Sequence, residues 1–497
     1  MNPQITKEVR VLLPPLGVLL LAGILPFRSW NGQGFWVVPA LFVLCSAVMA
    51  ALIFGHEFQQ RTMSLLLAQP VPRKTIWLCK TALLALFLAL AVGCAVLAFH
   101  EYSPQLLTTG TDSFSPALDF WAPFIAVPVL AFCTVPWLTL VFRSTLLGLI
   151  FSLLIPGALM ALNGLFCEYV LRNTGATAFA AYCVLGFYAV VAFAFGYISF
   201  TNLQVIDGTT MGREIELPHG IKKSCGAVTD ALWGQFKGPT ATLIRKELRL
   251  QQVSFLLAGF FCIVAALGAL LYRARPISPT QTSIGEVLLG TDFVIYMVLL
   301  PILAGSLCLA EEKAWGVADW QLMLPVSLLK QWSIKMAVAL STGLILGFIL
   351  PLTLFFLGRR LLGLGTGEGL PEFSFVTILG YLVLLQLVIY AASISGATVR
   401  SILVALSLFL LVGCTVQSTN WAFGGYYGSW MQEGEKVIGR YDLFLLQFAL
   451  CGILLQTFAF ACYRTLRPTI GRIATQVLLL VVIICMMTLT TRIVSSM

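Results

Sequence analysis

HEFQQRTMSLLLAQPVPRKTIWLCK, residues His56 to Lys80, is a polar interruption between two long apolar runs. The stretch EEKAWGVADWQLMLPVSLLKQWSIK, Glu311 to Lys335, echoes it 255 residues further on. Laid over each other without a gap, the copies match Glu57 with Glu312, Pro70 with Pro325, Val71 with Val326, Trp77 with Trp332 and Lys80 with Lys335. A shorter echo precedes each one: ITKEVR at Ile5–Arg10 and IRKELR at Ile244–Arg249. Two echoes in the same order make the chain two fused copies of one unit, and that repeat decides the architecture before any local reading.

The unit is a membrane bundle. Of the 497 residues, 59% are hydrophobic and only 10% charged, with a mean hydropathy of +0.94; a soluble domain carries about 25% charged residues. The 13 cysteines lie almost entirely inside apolar runs and form no CxxC, so they read as small buried hydrophobes rather than a zinc site or disulfide framework. Runs of roughly 20 apolar residues, the length a bilayer core requires, occur near 11–28, 35–54, 76–98, 120–141, 145–166 and 178–200. They resume near 254–272, 292–310, 334–357, 373–395, 400–417, 443–463 and 471–491. The first of these lacks a convincing cleavage site and reads as a span, not a signal peptide.

The expected fold is therefore an all-α polytopic membrane protein of about 12–13 transmembrane helices in two tandem six-helix bundles. Each bundle has a cytoplasmic helix between its second and third spans. The expected division is a first half at 1–203, a linker at 204–243, a second half at 244–466 and an added C-terminal helix at 467–497. Basic residues set the orientation. With the N-terminus in the cytoplasm, the central stretch Thr201–Val253 falls inside and holds Arg213, Lys222, Lys223, Lys237, Arg245, Lys246 and Arg249, whereas His100–Asp119 falls outside and has no Lys or Arg. This pattern absorbs the net charge of +9 without a nucleic-acid partner. The hexapeptides ITKEVR and IRKELR read as helices lying on the inner leaflet.

Within the first long copy, Glu57, Arg61 and Ser64 fall on one side of a helix at i, i+4 and i+7, where Glu57 and Arg61 can pair. Pro70 and Pro72 end it, and Arg73, Lys74 and Lys80 anchor the next span at the headgroups. In the second copy Gly316 replaces Arg61, Val317 replaces Thr62 and Leu328 replaces Arg73, amid a denser acidic set of Glu311, Glu312 and Asp319. A glycine inside a helix loosens it by about 1 kcal/mol relative to Ala.

At Glu57, Thr62, Leu66, Leu67, Pro70, Val71, Arg73 and Lys80 the chain resembles type-2 ABC transporter permeases. The resemblance implies an exporter subunit of the inner membrane, powered by a separate ATP-binding-cassette ATPase that docks on the helix between spans two and three. It implies ATPase contacts at Glu57, Arg61, Thr62, Ser64, Arg73, Glu311, Glu312 and Asp319, with Pro70, Pro325, Lys80 and Lys335 as the structural ends. Two permease surfaces in one chain imply two ATPase copies. No GxxxxGK[ST] phosphate loop is present, so the chain is expected to be no enzyme and to bind no cofactor itself, ATP and Mg residing on the partner. An apolar, charge-free interior suits a lipid-like or amphipathic cargo. On these grounds Glu57→Lys is expected to uncouple transport more severely than Glu312→Lys.

Two alternatives stay open. A secondary transporter or channel would usually place ionisable groups near mid-membrane, and no span has one there. The repeated segment could also be a plain interfacial anchor. An integral enzyme is disfavoured by three scattered histidines, His56, His100 and His219, and by the lack of paired carboxylates within a span.

Overall fold

A computed structural model describes residues 3–29, 37–60, 62–107, 118–166, 177–203, 238–274, 284–314, 316–317, 320–321, 323, 326–362, 375–422, 438–465 and 468–496. All regular structure among these residues is helical. The chain runs through α1 (Pro3–Ser29), α2 (Val37–Gln59), a short α3 (Met63–Leu67), α4 (Arg73–Leu107), α5 (Leu118–Phe142), α6 (Thr145–Phe166) and α7 (Thr177–Thr201). It continues as α8 (Pro239–Leu250), α9 (Gln252–Ala274), α10 (Ile284–Ala314), α11 (Leu328–Leu344), a π turn (Ile345–Ile349) and α12 (Leu350–Leu362). The last helices are α13 (Phe375–Ile394), α14 (Thr398–Ala422), α15 (Ile438–Thr465) and α16 (Ile470–Ser496).

Among the described residues seven helices are long and apolar enough to cross a membrane, within α2, α4, α5, α7, α9, α11–α12 and α16, and shorter apolar stretches lie in α6, α13, α14 and α15. Large apolar side chains such as Leu78, Leu86, Leu90 and Leu97 of α4 and Phe187, Val190 and Ile198 of α7 stand exposed. That much bare hydrocarbon on one surface is the mark of a lipid-facing belt. The protein is a multi-pass membrane protein.

By contacts the chain divides into two compact units, one of Met1–Val205 with Leu406–Gln432 and Ile484–Met497, the other of Ile206–Ala405 with Glu433–Ile483. In the first, α2 is the central helix: it packs on α1, α4, α5 and α6, while α5 bridges to α7. Small residues make this possible, since Ala47, Ala50 and Ala51 let neighbouring backbones approach. Gly55 shows how closely: a Cβ there would sit 1.7 Å from the Thr145 methyl carbon. In the second unit α10 takes the central place, packing on α9, α11 and α13, and α13 bridges to α15. Ala304 and Ala310 are buried, and a Cβ on Gly305 would come within 2.8 Å of Val388 Cγ1. The first part of α16 attaches to this unit through Gln476, whose Oε1 accepts from the Tyr390 hydroxyl at 3.0 Å.

The helix expected between spans two and three is α3, a five-residue turn of helix. The chain then turns through Gln69–Val71 into α4. Arg73, at the first position of α4, donates from Nη1 to the carbonyls of Thr201 and Leu203, both at 2.8 Å. It thereby supplies donors to carbonyls at and just past the end of α7, where the helix's own amides run out. Arg73→Ala should lower the stability of the first unit by about 1–2 kcal/mol, allowing for the partial exposure of the guanidinium. Thermal unfolding in detergent measures this, and an unchanged midpoint would remove the capping role.

Candidate functional site: a duplicated ionic cluster

Three elements of the first unit converge at the end of the bundle where α2 stops and α4 starts. Glu57, in the last turn of α2, is 1% exposed, and Lys80, two turns into α4, is 3% exposed. Lys80 Nζ lies 2.5 Å from Glu8 Oε1 of α1 and 3.5 Å from Glu57 Oε1. It also donates to the Ile53 carbonyl at 3.0 Å. Lys7 reaches Glu57 Oε1 from the solvent side at 2.9 Å, and the Thr62 hydroxyl donates to Glu57 Oε2. Two lysines and two glutamates thus close a neutral quartet across α1, α2 and α4. Beneath it Trp77 stacks on Phe54, centroids 5.0 Å apart, and meets Phe200 of α7 at 5.6 Å.

The second unit builds the same quartet from the matching residues. Lys335 Nζ lies 2.6 Å from Glu247 Oε1 of α8 and 2.5 Å from Glu312 Oε2 of α10. Lys246 holds Glu312 Oε1 at 2.7 Å. Trp332 again packs on the closing helix, here Phe460 and Tyr463 of α15. Val317 lacks the hydroxyl of Thr62, but the Gln321 amide replaces it, donating to Glu312 Oε1 at 2.6 Å. This copy is the more deeply enclosed, with Lys335 at 0% and Glu247 at 2% side-chain exposure.

Buried ions of opposite sign hold together only when every charge finds a partner, since desolvation costs several kcal/mol per ion. Both quartets meet that condition. The second has an acidic surplus beside it. Burial pushes the Glu247 carboxyl, on α8 outside the spans, up to about 7; Lys335 pulls it down and the Glu312 carboxylate adds to the rise. Burial and Glu312 also push Glu311, just past the apolar run of α10, from 4.5 up to about 7. A carboxyl raised on folding contributes stability that is complete below its unfolded value and lost as pH rises through its folded value. The melting temperature is therefore expected to fall between pH 5 and pH 8, and Glu311→Gln should flatten that fall. An identical pH profile in the variant would show that Glu311 is not its source.

The residues singled out from the sequence fall into three groups. Glu57, Thr62, Glu312, Lys80 and Lys335 come together in the quartets or donate into them, and Arg73 caps α7. Ser64 is half-buried on α3, Glu311 is half-buried beside Glu312, and Pro70 is exposed in the turn after α3. Arg61, Asp319 and Pro325 lie outside the described residues. Two readings change. Lys80 does not reach for headgroups as an anchor, because buried carboxylates on two other helices claim its ammonium group, as they do that of Lys335 in the second unit. Gly316 does not loosen a helix interior: it lies past the end of α10 with φ +71, and Val317 N donates to Glu312 O at 3.0 Å. That six-to-one bond around a left-handed residue is a Schellman cap, where glycine is the favoured residue. Gly316→Ala should accordingly cost about 1 kcal/mol in thermal unfolding, and Gly316→Asn less. Equal midpoints for all three would refute this.

Sequence reasoning did not single out Glu8 and Glu247, nor their neighbours Lys7 and Lys246. The available signal was the Lys-Glu pair at the same place in ITKEVR and IRKELR.

Residues 24–156, the stretch that carries Glu57, Thr62, Arg73 and Lys80, match the family model described as ABC-2 family transporter protein. Neither a curated protein nor a solved structure matches the chain. That stretch, set in an all-helical, multi-span chain, is similar to the membrane domain of ABC-2 transporters.

Proposed function

We propose that the chain is a membrane-spanning permease subunit of an ATP-binding-cassette exporter, two permease halves fused in series, working in the inner membrane with its N-terminus in the cytoplasm. Two separate ATPase subunits dock on the segments between α2 and α4 and between α10 and α11. They hold ATP and Mg, and this chain binds neither. The observation that carries the reading is the duplicated quartet. In each unit it clamps the first helix, the foot of the central helix and the head of the next span at one end of the bundle. A push on the intervening segment is then delivered to three helices at once.

The proposed contact surface is what these segments present. Leu65 of α3 is 68% exposed with Ser64 beside it, and in the second unit Trp320 and Met323 are 73% and 77% exposed. Arg61, Glu311 and Asp319 remain part of the proposed contact. Glu57, Thr62, Glu312 and Arg73 act through position, by fixing the segment that makes it. A lipid-like or amphipathic cargo remains the proposed substrate class.

The test is reconstitution. The chain purified with the ATPase it captures from its native membrane should move cargo in proteoliposomes only when ATP is supplied, and the chain alone should be inert. Transport by the chain alone, driven by an ion gradient without ATP, would overturn the proposal in favour of a secondary transporter.

A further inference from the structure

The long span that follows the second quartet is not one helix. Between α11 and α12 the chain makes a π turn over Ile345–Ile349, whereas α4, the corresponding helix of the first unit, is α-helical without a break from Arg73 to Leu107. The turn lies ten to fourteen residues beyond Lys335, which at 1.5 Å per residue is roughly 15–21 Å. In a hydrocarbon core of about 30 Å that is near the midplane. A backbone carbonyl without a donor is most costly there.

The turn has a local cause and a local remedy. In a π turn the Leu346 carbonyl would accept from the amide five residues on. That residue is Pro351, which has no N–H. The Tyr296 hydroxyl of α10 supplies the missing donor at 2.8 Å. Tyr381 of α13 donates to the Gly343 carbonyl, one turn earlier, at 2.7 Å. Gly347 makes room for it: a Cβ there would lie 1.7 Å from the Tyr381 hydroxyl oxygen. Tyr296 is itself held by stacking on Phe261, centroids 4.0 Å apart. In the 255-residue register the first unit has Leu41 in place of Tyr296 and Val96 in place of Pro351, so it has neither the defect nor its cure.

We infer that Ile345–Ile349 is a conformational joint, latched by the Tyr296 and Tyr381 hydroxyls, at which α12 moves relative to α11. A π turn and an α turn differ by one residue in a hydrogen-bonded ring, so a small displacement interconverts them once the side-chain donors let go. The two tyrosines come from different helices, so relative movement of α10 and α13 opens the latch. The joint deepens the permease reading, because it confines the motion to the second half.

The test is hydrogen exchange of the 344–350 amides in the full chain in detergent, without any ATPase. Tyr296→Phe and Tyr381→Phe should each speed exchange about threefold to tenfold, the equivalent of one net hydrogen bond. Pro351→Ala restores the backbone donor and should slow it below wild type. Wild-type exchange in the double phenylalanine variant, or in Pro351→Ala, would overturn the joint. In proteoliposomes with the ATPase, Pro351→Ala should lose ATP-driven transport, and full transport by this variant would likewise overturn the joint. A wild-type chain that shows no ATP-driven transport counts against the permease reading instead, and the exchange rates then decide the joint.

Discussion

Lys335→Met should destabilise the second unit by about 3–5 kcal/mol, the scale of removing one partner from a buried ion pair. The side chain is of similar length, so little packing is lost. What is lost is the cation between Glu247 and Glu312, which are 2% and 3% exposed. Lys246 remains, but it is 38% exposed and reaches only Glu312. Thermal unfolding in detergent is the measurement. Adding Glu247→Gln should recover part of the loss, because it removes an uncompensated carboxylate. Lys80→Met should cost less, since Glu8 is 14% exposed and can be hydrated, and Lys7 still holds Glu57. A Lys335→Met protein as stable as wild type would mean that the carboxyls are neutral and the quartet is not ionic.

Charge reversal at the two shared carboxylates is the other large effect. Glu312→Lys and Glu57→Lys should each abolish ATP-coupled transport, with a fall of roughly 100-fold, about 3 kcal/mol, as the smaller expectation. Sequence alone ranks Glu57→Lys as the more damaging. Burial reverses the order. Glu312 accepts from Lys246, Lys335 and Gln321 in a nearly closed site. A third cation at position 57 can still push Lys7, 46% exposed, out into solvent. Transport and ATP hydrolysis measured side by side in proteoliposomes decide the ranking. A worse defect in Glu57→Lys would show that the first docking segment, and not enclosure of the charges, controls coupling.

Much of this was legible in the chain because it follows from local chemistry. Hydropathy marks where spans run, the prolines at 70 and 72 separate α3 from α4, and the matched Glu, Trp and Lys show that one device occurs twice. The helical class and the membrane class needed nothing further. The wiring of the device was not legible, because Lys80 meets Glu8 across 72 residues of sequence and no local pattern declares that contact. Gly316 is ambiguous for another reason: a glycine reads as a flaw or as a cap depending on whether the helix has already ended, and boundaries are the least certain part of such readings. The π turn is hidden because ILGFI looks like any apolar helix. Its only announcement is Pro351, whose consequence depends on a tyrosine from another helix.

That turn also limits how far the repeat can be carried up the bundle. Residues 73–107 and 328–362 are helical segments of equal length starting at matched positions. Side chains advance about 100° per residue around a helix, so a single residue absorbed in a wider turn rotates every later one by about that much. Below position 345, aligned residues of the two spans point to equivalent azimuths of their own bundles. Beyond position 349 they do not, and a side chain aligned with one that faces lipid in α4 is turned by more than a quarter circle. The two aligned spans thus correspond in facing before the turn and lose that correspondence after it. A substitution transferred between repeats by alignment keeps its meaning only on the quartet side of the turn.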